Sequence, residues 1–307
     1  MTLRLWAIAR RLSQLSVLSF IAYAGISLHW RNFKVAHNQA RLVGLMKGDG
    51  WEKAYAWNER LLEALSDDPL GLSDSILGMP WSATVLGVPL TDPLAVVTVL
   101  AQGHIPPAAV LLAALLPVVI AVFGGRLFCS FLCPARAVFE AGNAVRSGAQ
   151  RLGLDLAAIR IPRIGLWVGL GLVLGSAIAG TGLLTLALPY WALGAGIASL
   201  TMTGTAGAAL WVFGGMVAVD ALIAPGQICR SLCPTGAWLE LAGSAAPLRL
   251  QKVKPTDCGP CDICQRVCPY GLFPGRETHH PSCDTCGRCS LACPDKKLAP
   301  ALVLGMK

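Results

Sequence analysis

Charge is what this chain has least of. Of its 307 residues, 14% are charged against 54% hydrophobic, and mean hydropathy is +0.59. Soluble domains carry roughly 25% charged residues, so the balance excludes an ordinary water-facing surface for much of the chain. Acid is scarcer than base, at 17 residues to 25, for a net charge of +8. The basic residues flank apolar runs and build no stripe with interleaved aromatics, which excludes a nucleic-acid partner. Also missing are a Gly-rich dinucleotide fingerprint after a strand and a P-loop, so the chain is expected to move electrons between partners and not to reduce a nicotinamide itself. The segment Arg31 to His104 has no cysteine, although the chain holds twelve. A secreted disulfide scaffold would not confine its cysteines so tightly, and metal ligation in a reducing compartment fits better.

What is present in quantity is apolar sequence. Four stretches meet the roughly 20-residue requirement for crossing a bilayer: about 12–28, 105–123, 164–186 and 206–224. The first has an uncleaved signal peptide as its alternative. Three basic residues and no acid precede the first span, and 124–163 holds six basic residues and two acids. The segment from Pro189 to Thr205 has no charge at all, and the chain after Pro225 has ten basic and six acidic residues. The positive-inside rule then puts both termini and all twelve cysteines on the cytoplasmic side of a bacterial inner membrane. The expected fold class is an all-α membrane protein of four transmembrane helices over 1–246, followed by a small α+β ferredoxin-type domain over 247–307. Segment 31–104 reads as a long external loop, with Trp51, Tyr55 and Trp57 on an interfacial helix. A short helix follows, with Thr91 or Asp92 at its N-cap and Pro93 at its first position. Ala135 to Leu152 reads as an amphipathic helix on the inner surface.

Cys258, Cys261, Cys264 and Cys268-Pro269 form C-x2-C-x2-C-x3-C-P, and Cys283, Cys286, Cys289 and Cys293-Pro294 repeat it with identical spacing. In this bacterial two-cluster run the fourth cysteine ligates the other cluster. One [4Fe–4S] cluster is therefore assigned to Cys258, Cys261, Cys264 and Cys293, and a second to Cys268, Cys283, Cys286 and Cys289. Two four-cysteine zinc sites are the alternative, but zinc sites pair two C-x2-C knuckles instead.

"CSFLCP" (Cys129, Cys133) and "CRSLCP" (Cys229, Cys233) each end an apolar span. An internal duplication would bring these pairs face to face. Four thiols there can bind a metal ion, bind a further cluster or cycle as redox-active disulfides, and a structural metal site is the plainer alternative. Asp220, an acid inside a span, reads either as a proton relay or as a structural partner of Arg126 or Arg230.

At these residues the chain resembles the NapH/MauN group of polytopic ferredoxin-type proteins. The matching stretches are "VPLTDPL", "GHIP", "GGRLFCSFLCP", "ICRSLCPTGA" and the two tail runs. The resemblance implies four spans, two cytoplasmic CxxxCP motifs and two [4Fe–4S] clusters. It also implies the quinol dehydrogenase subunit of a periplasmic system, drawing on the quinol pool and passing electrons toward a periplasmic ferredoxin-type or other redox partner. The long loop from Phe33 to Leu86 departs from the nitrate-reductase type and leans toward methylamine utilisation. A related cytochrome-oxidase assembly group shares the cysteine arrangement and offers an alternative, a maturation factor that supplies electrons for copper reduction. A membrane anchor with purely structural clusters is a third reading. Quinol oxidation needs a base, and Asp92 and His104, with His29 third, are the candidates at the external edge.

Overall fold

The computed structural model describes residues 3–35, 49–76, 78–156, 158–180, 186–253, 258, 261–277 and 280–302. The first helix, α1 (Leu3–Val35), is longer at both ends than the expected span, and Leu3–Asn32 is apolar and long enough to cross a membrane. Helix α2 (Asp49–Leu65) is amphipathic, and α3 (Pro69–Ser75) is capped by Asp68, whose side chain accepts from the Gly71 amide. Tyr55 and Leu62 of α2 bury against Trp30 of α1. Tyr55 is therefore a packing residue and not a surface anchor. Trp57 is exposed, and the side chain of Trp51 lies outside the described residues.

A small antiparallel sheet follows, β1 (Gly78–Met79), β2 (Ser82–Val85) and β3 (Val88–Thr91). Leu86 and Gly87 turn β2 into β3 with φ of 52° and 80°, the left-handed pair that a two-residue type I′ hairpin requires. A leucine where asparagine is usual masks this turn in the sequence. Helix α4 (Pro93–Ala101) then starts with Asp92 at its N-cap and Pro93 at its first position, as expected.

Beyond two prolines the chain continues as α5 (Ala108–Gly124), the short α6 (Leu127–Phe131) and α7 (Pro134–Arg151). Next come α8 (Ile164–Ile178), α9 (Pro189–Thr203), α10 (Ala208–Leu222), a π-helical turn (Ile228–Leu232) and α11 (Pro234–Ala242). Helices α5, α8 and α10 stand where the other spans were expected. They have 17, 15 and 15 residues, or about 22–26 Å of helix, short of a hydrocarbon core of about 30 Å. Residues 181–185 of the third expected span lie outside the described set. The tail pairs β4 (Leu248–Lys252) antiparallel with β5 (Leu298–Leu302), around α12 (Ile263–Arg266) and α13 (Arg288–Ala292).

Three features refine the sequence reading. The uncharged segment from Pro189 is the helix α9, and it packs against α1 and α10. Helix α7 is amphipathic as expected, with Val145, Ser147 and Arg151 exposed, but its other face is packed, Phe139, Glu140 and Arg146 being buried between α1 and α10. The third concerns β3, which packs along α5 so that β3 and α4 turn inward beside it. The core forms where α4, α7, α8, α9 and α10 meet, around Leu94, Phe139, Val173, Trp191 and Phe213, with Cys133 and Cys229 at its edge.

Candidate electron-transfer site

The two CxxxCP runs fold alike. In each, a short helical turn ends before the second cysteine, whose amide donates to a carbonyl five residues back: Cys133 to Phe128 at 2.9 Å and Cys233 to Ile228 at 2.8 Å. Cys133 (φ −75°, ψ 113°) and Cys233 (φ −69°, ψ 115°) then cap the following helices. Proline forces this extended geometry on the residue before it and suits the first helical position. The positive ends of α7 and α11 thus lie at the second cysteine of each pair. Gly125 and Gly243 bring the two halves together, for a Cβ on Gly243 would stand 2.2 Å from the Gly125 Cα.

The duplication gathers the thiols, since Cys129, Cys133 and Cys229 each feel the charge of at least one cysteine of the opposite run. The residues keep intermediate exposure, yet desolvation dominates at the sulfurs. Burial pushes Cys129 up to about 11 and Cys229 up to about 12, against the lowering influence of Arg126 and Arg136 respectively. Cys133 and Cys233 are raised by the same cause. A single tetrahedral zinc at about 2.3 Å from each sulfur needs its ligands within about 3.8 Å of one another. Among the described residues no three Cys, His, Asp or Glu side chains are placed to hold a single metal ion.

In the tail, Cys268, Cys283, Cys286 and Cys289 line one cavity together with Tyr270 and Asp284. The Sγ atoms of Cys258 and Cys264 flank Gly275, 3.3 and 3.4 Å from where a Cβ would stand, so that glycine leaves open the space between them. Cys261 adds its charge to Cys264, and Lys297 lies near both Cys258 and Cys293. The first four-cysteine set thus lines a common space, and in the second Cys258 and Cys264 leave open space at Gly275.

The first cavity is docked on the CxxxCP runs. Ser130, between Cys129 and Cys133, donates its hydroxyl to the Asp284 carbonyl at 2.7 Å, and Trp6 donates to the Thr285 carbonyl at 2.9 Å. From the second run Gly226 approaches the Pro269 carbonyl, and Arg230 approaches Gly271. Glu140 locks the assembly: Arg10 (2.9 Å) and Arg11 (2.6 Å) of α1, Arg136 (3.2 Å) of α7 and Arg288 (2.8 Å) of the tail all pair with it. Burial would push its carboxyl up, but Arg136, Arg288 and Arg10 hold it down at about 2.

The candidate bases are not brought together. His104 is exposed at the far end of α4, about 13 Å of helix from Asp92, and His29 is buried on α1 beside Trp30. Asp92 is not at an outer edge. Its Oδ2 accepts from Tyr190 Oη (2.5 Å) and Trp191 Nε1 (2.8 Å), and its Oδ1 from the Leu94 amide (2.9 Å). Thr235, two residues after Cys233, in turn donates to the Tyr190 oxygen at 3.2 Å. Burial raises the Asp92 carboxyl, against the lowering effect of those hydrogen bonds. Asp220 takes neither Arg126 nor Arg230 as partner. It accepts from Asn143 Nδ2 (2.7 Å) and from the Ile228 amide (3.1 Å), anchoring the π-helical turn. Sequence reasoning missed Tyr190, Trp191 and Thr235. Two hydrogen-bonding aromatics after a proline in a chargeless segment were the available signal.

Paired cysteine motifs docked on a cysteine-dense tail define an iron–sulfur, ferredoxin-type electron-transfer protein. Residues 106–153, which include Cys129 and Cys133, match a family model described as a 4Fe-4S binding domain. The chain is 33% identical to the ferredoxin-type protein NapH of Escherichia coli, over 67% of this chain and 72% of that one. It is 31% identical to NapH of Haemophilus influenzae over 68% and 74%. It is 28% identical to the methylamine utilization ferredoxin-type protein MauN of Methylorubrum extorquens over 75% and 79%. The chain belongs to the NapH/MauN family of ferredoxin-type proteins. No solved structure matches it significantly.

Proposed function

We propose that this protein is the quinol-oxidising, membrane-embedded subunit of an electron-transfer system that serves a periplasmic redox partner. The observation that carries the reading is the continuity of the site. Asp92 reaches Thr235, two residues from Cys233, through Tyr190, and the CxxxCP runs grip the tail through Ser130, Gly226 and Arg230.

Oxidation of one quinol releases two electrons and two protons. Asp92, raised by burial and held by Tyr190 and Trp191, is the proton acceptor. Iron–sulfur clusters supply single-electron storage when bound. Cys268, Cys283, Cys286 and Cys289 are the ligands of a proximal cluster, and Cys258, Cys261, Cys264 and Cys293 those of a distal one. A further cluster held by Cys129, Cys133, Cys229 and Cys233 is in keeping with the 4Fe-4S family match over 106–153.

The membrane reading rests on α1 and on the outward apolar faces of α5, α8 and α10. Leu112 and Leu115, Ile164 and Leu172, and Trp211 and Leu222 are all more than half exposed, an area that water would not tolerate. Lys/Arg placement puts the cysteines and both termini in the cytoplasm.

The test is anaerobic mixing of the purified protein with a reduced quinol, followed by low-temperature EPR, with a dithionite-reduced control. Cluster signals are expected with quinol and are expected to vanish when Cys129, Cys133, Cys229 and Cys233 are replaced by serine, while the dithionite signal of the tail persists. A silent quinol sample beside a full dithionite signal would sink quinol oxidation and favour a metal-reducing maturation role or electrons entering from the cytoplasm.

A further inference from the structure

Between the four motif cysteines and the tail cavity lies a group of buried side chains that neither cysteine set uses as ligand. Tyr270, two residues after Cys268, is 1% exposed and lines the cavity. The Arg126 guanidinium lies 4.8 Å and that of Arg136 5.1 Å from its ring centroid. These arginines are 1% and 3% exposed. Arg126 donates to the Cys229 carbonyl at 2.8 Å. Arg136 stands 3.9 Å from the Asp284 carboxylate, between Cys283 and Cys286, and 3.2 Å from Glu140.

Two cations stacked on one ring inside a protein are costly unless negative charge faces them. The nearby carboxylates meet only part of that need. Glu140 is shared among four arginines, and Glu240 is 3.7 Å from Arg126. Moreover, Nε and Nη1 of Arg126 and Nε and Nη2 of Arg136 form no well-aligned hydrogen bond among the described residues, although Arg136 Nε lies 3.2 Å from Glu140, Arg136 Nη2 3.9 Å from Asp284 and Arg126 Nη1 3.7 Å from Glu240. Buried donors whose hydrogen bonds are incompletely met leave capacity for a further anionic acceptor in the adjoining space, and thiolate-bound clusters on either side would be such acceptors.

We propose that Arg136, steadied with Arg126 against the ring of Tyr270, sets the reduction potential at the junction of the two cysteine sites, with Tyr270 as its positioning residue. The inference rests on the iron–sulfur part of the proposed function and is independent of quinol. The placement of charge supports it: Arg136 is felt by Cys229 on one side and Cys286 on the other, and Arg126 by Cys129 and Cys233. An electron arriving at either site adds one negative charge. A permanently charged guanidinium offsets that charge in a low-dielectric setting without taking up a proton, so no bond forms or breaks in the step.

The experiment is a mediated redox titration of the full-length protein in detergent, followed by EPR, with iron content measured on each sample. At the wild-type midpoint, Arg136→Gln is expected to lower the reduced-to-oxidised ratio about tenfold, which is about 59 mV for one electron. Arg136→Lys should stay within about twofold. Tyr270→Leu should shift the ratio the same way by at least about threefold, and Tyr270→Phe should not move it. Wild-type midpoints in Arg136→Gln and Tyr270→Leu at full iron content would overturn the proposal. Where Arg136→Gln does not accumulate, the Tyr270 pair, which changes no charge, decides alone: a shift in Leu but not Phe supports the proposal, and none in either refutes it. Because the titration uses chemical reductants, a wild type silent to quinol still reports on Arg136, and the two readings fail separately.

Discussion

Glu140 shows how one residue can fix an arrangement of three segments. Its carboxylate receives two arginines from α1, one from its own helix and one from the tail. A carboxyl held at about 2 against an ordinary 4.5 contributes about 3 kcal/mol, at 1.36 kcal/mol per unit. Its folded value is depressed, so this stability is present in full above pH 4.5 and is lost as pH falls toward 2. Glu140→Gln leaves the arginines buried without their anion and is expected to cost about 3 kcal/mol at pH 7. Denaturant unfolding of wild type and variant should show that gap at pH 7 and its narrowing in acid. An unchanged gap at pH 3 would mean that the carboxylate's charge is not what matters. In the sequence Glu140 is one acid in a basic stretch, and nothing there distinguishes it from a solvated residue.

At the scale of elements, the CxxxCP run is a joint between helices. The proline after each second cysteine ends one element and begins the next, and that much was readable from spacing and pre-proline sterics. The intervening serines carry what spacing does not reveal. Ser130 bonds the tail at Asp284, whereas Ser231, one place further along its own run, bonds the Ile161 carbonyl. Both motifs meet the tail, the first through Ser130 and the second through Gly226 and Arg230, while Ser231 also ties the second to the segment before α8. Ser130→Ala leaves the Asp284 carbonyl without that partner at a cost of about 1.4 kcal/mol. Hydrogen exchange of the Cys286 amide, whose own acceptor is Asp284 Oδ1 at 3.2 Å, should then quicken about tenfold, with Ser231→Ala leaving it unmoved. Equal exchange in both variants would argue that the tail docks mainly through Glu140 and its arginines. Helix α9 belongs to the same scale. Its lack of charge gives no sign of a role, but once folded it is the element that supplies Tyr190 and Trp191 to Asp92.

Across the whole molecule, the apolar helices and the charged, cysteine-rich joints separate into two zones. Two fusions to alkaline phosphatase, which is active only outside the cytoplasm, test the orientation. A fusion after Leu65 should be active and one after Leu302 inactive, and the reverse pattern would reject the cytoplasmic placement of the cysteines. Composition alone determined that this chain avoids water, and cysteine spacing alone determined that it is built for iron and sulfur, because both are local properties that survive without folding. The alignment of the two CxxxCP runs was legible as a repeated pattern, since each half carries its own proline and its own pair. Only the tertiary structure decided which side chains adjoin those cysteines. Asp92 reads from sequence as the outer end of a short helix, yet β3 and α4 pack inward along α5 and set it two hydrogen bonds from Thr235. Arg136 and Tyr270 lie far apart in the chain and carry no shared motif. Their meeting depends on burying charge between helices and tail, a long-range balance that no local stretch encodes.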